Sequence, residues 1–189
     1  MKYKLILASN SPRRRELMDG LSIPYEVRLV KGIDEAYPDH LPPEEIPVFI
    51  SREKAAAYRL ADDEMLITAD TIVWLKGRVL EKPKDEAEAI EMLRALRNET
   101  HQVITGVSLT TNKMQHSFSA VSDVTFGPLT DQEIEQYVSR CKPFDKAGAY
   151  GIQEWIGYIG VTGLRGSYFN VMGLPVQRLY AELKRLNAI

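Results

Sequence analysis

Leu5-Ile6-Leu7-Ala8-Ser9-Asn10-Ser11-Pro12-Arg13-Arg14-Arg15-Glu16-Leu17 joins an apolar run of strand length to the start of a helix. Ser11 suits the N-cap, and Pro12 suits the first helical position, where its missing N–H is not needed. Leu17 and Leu21 then mark the face expected to be buried, and Gly20 offers a left-handed stop. Helix N-termini favour negative side chains, yet this first turn carries three arginines. Unpaired backbone N–H groups, the hydroxyls of Ser9 and Ser11 and the guanidinium forks together suit a phosphate. The same arginines also read as a solvated basic turn.

The chain has 189 residues, 44% hydrophobic and 26% charged, which fits one globular domain over 1–189 or at most two small lobes. Lys plus Arg number 24 against 26 Asp plus Glu, a net charge of −2. That balance gives no general attraction to nucleic acid or an anionic membrane. Cys141 is the single cysteine, so no internal disulfide forms, and three scattered histidines lack zinc spacing. Met1-Lys2-Tyr3-Lys4 leads into a strand too short for a signal peptide's apolar region, and no apolar run of about 18 residues exists. A cytoplasmic location with no membrane partner is the expectation.

Working outward, Tyr25–Leu29 alternates like a short strand, and a proline-punctuated loop precedes a helical pattern over about Glu44–Leu60 that carries Lys54. Met65–Ala69 reads as a buried strand that ends at Asp70-Thr71 and resumes as Ile72–Leu75. Lys76-Gly77 signals a turn into a return strand, Arg78–Glu81, which Pro83 closes. Asp85 caps a helix with Ala89, Met92, Leu93 and Leu96 on one face. Gln102–Thr110 and Gln115–Phe126 alternate as the arms of a long antiparallel hairpin. Thr130-Asp131-Gln132-Glu133 is a capping box opening a helix through Ile134, Tyr137 and Val138. A glycine-rich tail follows, and a final amphipathic helix starts at Pro175. Interleaved crossovers and hairpins make this an α/β chain with a mixed sheet flanked by helices.

Neither a P-loop nor a dinucleotide-binding glycine pattern is present, and there is no nucleophile elbow. What remains are charged residues at element ends. Asp70 interrupts an apolar strand, where a buried carboxylate needs a cation, a metal or hydrogen bonds; a capped strand end or an internal ion pair would also account for it. Asp34-Glu35 in a loop suits solvent as well as function. Lys54 and Lys82, taken singly, read equally as surface lysines.

In combination these segments say more. Ser9-x-Ser11-Pro12-Arg13-Arg14, Ser51-Arg52-Glu53-Lys54-Ala55, Ala69-Asp70-Thr71-Ile72-Val73, Glu81-Lys82-Pro83, Lys146-Ala147-Gly148-Ala149-Tyr150-Gly151-Ile152-Gln153 and Gly166-Ser167-Tyr168-x-Asn170-Val171-x-Gly173-Leu174-Pro175 occur in one chain and one order. The set resembles the Maf family of nucleoside triphosphate pyrophosphatases, and more narrowly its dTTP/UTP-preferring branch, which carries the run ending in Gln153. The resemblance implies an inosine-triphosphatase-like (Maf/Ham1) fold with a cleft between two lobes, a homodimer, and metal-dependent hydrolysis of dTTP, UTP and modified pyrimidine nucleotides to the monophosphate and pyrophosphate. It implies Asp70 as the catalytic proton acceptor and Arg13, Thr71 and Gln153 as base-preference positions. Ser9, Arg14, Lys54 and Lys82 would bind phosphate, and Asp70 with Glu35 would hold Mg²⁺ or Mn²⁺. Alternatives within the same resemblance are a different base range or a non-catalytic nucleotide-binding regulator of septum formation. Two residues depart from the family pattern: Arg15, and Glu154, where a glycine is expected after the glutamine. The second bears on the loop that holds Gln153.

Elementary chemistry is compatible with those assignments. A triphosphate brings about three to four negative charges, which Arg13, Arg14, Lys54, Lys82 and one divalent ion neutralise. Gln153 offers a carbonyl and two amide protons, complementary to the N3–H and O4 edge shared by uracil and thymine.

Overall fold

The computed structural model describes residues 2–189. In chain order the elements are β1 (Lys4–Leu7), α1 (Pro12–Gly20), β2 (Tyr25–Val27), α2 (Ile46–Ala56), β3 (Glu64–Leu75), β4 (Arg78–Leu80), α3 (Glu86–Leu96), β5 (Thr100–Thr110), β6 (Gln115–Phe126), α4 (Asp131–Cys141), α5 (Trp155–Gly160), β7 (Val161–Arg165), α6 (Tyr168–Met172) and α7 (Val176–Arg185). The sheet runs β2-β1-β3-β5-β6-β7, with β4 added to β3. It is mixed: β1 pairs in parallel with β2 and β3, while β3–β4 and β6–β7 are antiparallel. The chain divides into two compact units, one formed by Met1–Asp70, Thr105–Ala120 and Gly173–Ile189, the other by Thr71–Ile104 and Val121–Met172.

In the first unit, β1 is buried at Leu5, Ile6 and Leu7, and its neighbour β3 at Met65, Leu66 and Ile67. Parallel strands covered on both faces read as continuous apolar runs, and both do. Ile6 and Leu66 pack with Ala55 of α2, and Ala8, Tyr58 and Leu60 lean on the same cluster. Ser11 caps α1 by accepting the Arg14 N–H at 3.4 Å, with Pro12 behind it. The buried pair of α1 is Leu17 and Met18. Leu21 is half-buried; the helix is short enough that its second turn, not a longer stripe, faces inward. Gly20 remains helical, and the left-handed residue that ends this segment is Ser22 (φ 54°).

Strand β3 does not pause at Asp70-Thr71 but runs through twelve residues. A ladder is built from backbone groups, so a carboxylate side chain interrupts it only if left without a partner. Helix α2 is shorter than its periodicity suggests, because Pro47 lies in its first turn and the chain past Ala56 leaves the helix as an irregular segment.

In the second unit, Lys76 and Gly77 take positive φ (48° and 84°) to close the β3–β4 turn, the backbone shape that two-residue hairpins need. Asp85 caps α3 by accepting the Glu88 N–H at 2.9 Å. Both halves of the capping box at α4 form, Thr130 N–H to Glu133 at 2.7 Å and Glu133 N–H to Thr130 Oγ1 at 3.1 Å; such a cap contributes about 1 kcal/mol. The glycine-rich tail is more ordered than its composition suggests, since it forms α5, β7 and α6. No helix among the described residues is long and apolar enough to cross a membrane.

Candidate functional site

The first unit contains six of the residues singled out from sequence: Ser9, Arg13, Arg14, Glu35, Lys54 and Asp70. Asp70 lies on β3 next to Ala69, whose carbonyl accepts from the Arg14 guanidinium at 3.0 Å. Arg14 Nε also donates to the Gly173 carbonyl at 2.8 Å, so the Arg14 fork is fixed by two backbone oxygens before any anion arrives. Burial pushes the Arg14 pKa down and Arg13 adds to this, while Asp70 and Glu35 oppose it. An arginine starts high enough to stay charged.

Lys54, from the last turn of α2, places its ammonium 2.8 Å from Asp70 Oδ1 and 2.9 Å from Glu35 Oε1, with the Ala69 carbonyl at 3.4 Å. The Lys54 and Asp70 side chains are each only 14% exposed, whereas Glu35 is 50% exposed. One ammonium therefore serves two carboxylates, one sheltered and one facing water. Ser9 is buried, and its hydroxyl accepts the Ser11 N–H at 3.2 Å. Arg15, the departure from the family pattern at the triplet, donates to Asn10 Oδ1 at 3.2 Å and to the Ser9 carbonyl at 3.5 Å. Arg13 is half-buried beside it.

Thr71 follows Asp70 directly along β3. Lys82, exposed after β4, and Gln153 belong to the second unit. Gln153 Oε1 is buried and has no hydrogen-bond partner. A buried, unanswered amide oxygen costs about 1–3 kcal/mol, so it suits a ligand N–H.

The segment that carries Gln153 is held at both ends. Ala147–Ala149 makes a short 3₁₀ turn in which Gly148 takes φ 69° and donates to the Glu81 carbonyl at 3.2 Å. A Cβ on Gly148 would come within 2.9 Å of the Val73 side chain. At the other end, a Cβ on Gly157 of α5 would lie 1.8 Å from the Ile152 carbonyl oxygen, so only glycine lets α5 close onto the loop.

Sequence reasoning flagged Glu154 beside this loop but missed the tyrosine that holds it. The Tyr137 hydroxyl of α4 donates to Glu154 Oε2 and accepts the Gly151 N–H at 3.1 Å. The other Glu154 oxygen pairs with Lys146 at 3.0 Å. Tyr137 had been legible only as part of an apolar helix face; the available signal was that a buried tyrosine hydroxyl needs a partner.

Behind Tyr150, His101 is buried edge-on against the Phe126 and Tyr150 rings, centroids 5.4 Å away in each case, with Nε2 2.6 Å from the Tyr150 hydroxyl. Burial lowers its pKa from 6.5 to about 4. Between those values the unfolded chain binds a proton that the folded chain does not, so stability rises with pH across the window and is lost on acidification. At about 1.4 kcal/mol per pH unit the full span corresponds to about 3 kcal/mol. Urea midpoints should fall between pH 6.5 and pH 4, and a His101→Gln variant should show a slope shallower by up to one proton.

These geometries can be set beside known proteins. A family model described as Maf-like protein matches residues 4–186. The dTTP/UTP pyrophosphatase of Phocaeicola vulgatus is 65% identical over 187 residues, covering 98% of this chain and 97% of that protein. The protein of the same name from Bacteroides fragilis is 59% identical over 187 residues, with 98% and 97% covered. Among solved structures, the Staphylococcus aureus Ham1 protein aligns at TM-score 0.52 with 18% identity, covering 95% of this chain and 99% of that one, a likeness of fold. With the six motifs in order, the mixed sheet they predict and a family match over nearly the whole length, the chain belongs to the Maf family.

Proposed function

We propose that this chain hydrolyses dTTP and UTP, and modified pyrimidine nucleotides of the same edge chemistry, to the nucleoside monophosphate and pyrophosphate. The observation that carries the reading is the Lys54 ammonium shared by Asp70 and Glu35, beside an arginine already tied to the Ala69 carbonyl. The name borne by relatives up to 65% identical supports the choice of base.

In this reading Asp70 orients a water and accepts its proton as the water oxygen bonds to the α-phosphorus. The bond from that phosphorus to the oxygen bridging to the β-phosphate breaks, and pyrophosphate leaves with the electron pair. Lys54 holds the Asp70 carboxylate in place through their 2.8 Å ion pair. Arg14, Lys54, Lys82 and the Ser9 hydroxyl take the phosphates, and preorganised donors of this kind stabilise the charge that builds up there. Arg13, Thr71 and Gln153 select the base.

The donor set also suits a divalent ion. Asp70 and Glu35 offer hard carboxylate oxygens, and one or two carboxylates completed by phosphates and waters match Mg²⁺ or Mn²⁺. No group of three or more His, Cys, Asp or Glu converges among the described residues, so the set fits an ion shared with the nucleotide better than a resident one. When bound, such an ion supplies charge neutralisation and a more acidic water. We further propose a cytoplasmic homodimer with no nucleic-acid or membrane partner; exposed Trp155, Tyr158, Ile159 and Phe169 support self-association.

The test is pyrophosphate release from a panel of ribo-, deoxyribo- and modified nucleoside triphosphates, with Mg²⁺, with Mn²⁺ and with chelator. Release from dTTP and UTP in preference to other bases, abolished by chelator, is the expected result. Release centred on other bases overturns the specificity, and binding without release by folded protein overturns the enzyme.

A further inference from the structure

We propose that Tyr137 and Glu154 are positioning residues for base selection, fixing the backbone of Gly151–Gln153 so that the Gln153 amide meets the nucleobase in one orientation. The inference rests on the reading of Gln153 as the base-selecting side chain.

The hydroxyl of Tyr137 sits at a junction. It donates to Glu154 on one side of Gln153 and accepts the Gly151 N–H on the other, so a single atom staples both flanks of the selecting residue. Tyr137 is wholly buried in a helix begun by a complete capping box, which makes it a rigid anchor. Burial, reinforced by the Glu154 hydrogen bond, pushes its pKa up, and the phenol stays a donor. Glu154 is secured from the other side by Lys146, itself 3.0 Å from Asp145. Lys146 and Glu154 close over Gly151, where a Cβ would meet the Glu154 Cδ and the Lys146 Cε at 3.1 Å each. Backbone bonds complete the turn: the Glu154 N–H donates to the Gly151 carbonyl at 3.0 Å, and the Gly157 N–H to the Glu154 carbonyl at 2.9 Å. Within this frame the Gln153 side chain is the member whose buried oxygen is unanswered. An acid at 154 in place of the expected glycine is thus a tie for the loop.

A loosened frame leaves the amide present but misaimed, and misplacement of about 1 Å can cost as much as a hundredfold in rate. The readout is the ratio of kcat/KM for dTTP to that for dCTP. Tyr137→Phe and Glu154→Ala should each lower this ratio by about tenfold or more. Glu154→Gln, which still accepts from Tyr137, should keep most of it, with Lys146 left on Asp145. Should Tyr137→Phe fail to fold, Glu154→Ala carries the test, since that side chain is 24% exposed and Lys146 keeps its pair with Asp145 at 3.0 Å. Gln153→Ala is measured alongside. If it shifts the ratio while folded Tyr137 and Glu154 variants do not, the positioning role is overturned and the Gln153 reading stands. If Gln153→Ala leaves the ratio unchanged, both fall.

Discussion

Replacing Asp70 by asparagine should lower kcat for dTTP by about two to four orders of magnitude while nucleotide affinity changes by less than about threefold. Asparagine keeps the shape and an oxygen acceptor for the Lys54 ammonium, now 2.8 Å from Asp70 Oδ1, but it cannot take a proton from water. Lys54 retains Glu35 at 2.9 Å, so the variant does not strand a sheltered cation, which is the costly way to break such a pair. The fold should survive, and the lost rate then belongs to the chemistry. Single-turnover pyrophosphate release, nucleotide titration and a thermal melt separate the three quantities. Unchanged turnover would remove Asp70 from the reaction. A collapsed melt would assign it to the support of Lys54.

Replacing Gln153 by glutamate should cost at least a hundredfold in kcat/KM for dTTP and UTP, with release from another nucleotide retained. The amide has one acceptor for the base N3–H and donors for O4; the carboxylate has acceptors only and opposes O4 with a like partial charge. Because Gln153 Oε1 is buried, the new charge also meets a desolvation cost that water does not relieve. The panel of nucleotides decides this: a folded variant inactive on every base would show that Gln153 serves the reaction as a whole rather than the choice of base.

How far the sequence announced this molecule differs from segment to segment. Ser11-Pro12, Asp85 and the Thr130–Glu133 box each state a helix start through local hydrogen bonding, and each is found where the residues put it. The long hairpin was equally legible, with β6 spanning Gln115–Phe126. Local chemistry was silent on the tail, because α5 contains Gly157 and Gly160, which lower helix propensity. Its helix depends instead on the close approach of Gly157 to the Ile152 carbonyl five residues earlier, a local backbone contact that helix propensity does not record. The sequence splits strand β3 because Asp70 reads as an interruption, whereas Lys54 from a distant helix gives that carboxylate its partner. The site followed the same divide. Residue types suited to phosphate could be named, but no spacing reveals that positions 35, 54 and 70 share one ammonium, and family resemblance supplied what periodicity could not. Tyr137 escaped both routes, since its role lies in a hydroxyl that a hydrophobic pattern does not record.

The packing of Gly148 against Val73 has a consequence for how this protein can diverge. Any side chain at 148 would press on the strand that also bears Asp70 and Thr71, and one at 157 would collide with the carbonyl just ahead of Gln153. Backbone remodelling of the loop is therefore closed off to descendants that must keep their activity. In this chain, a change of nucleotide preference is then reached by exchanging side chains on an unchanged main chain.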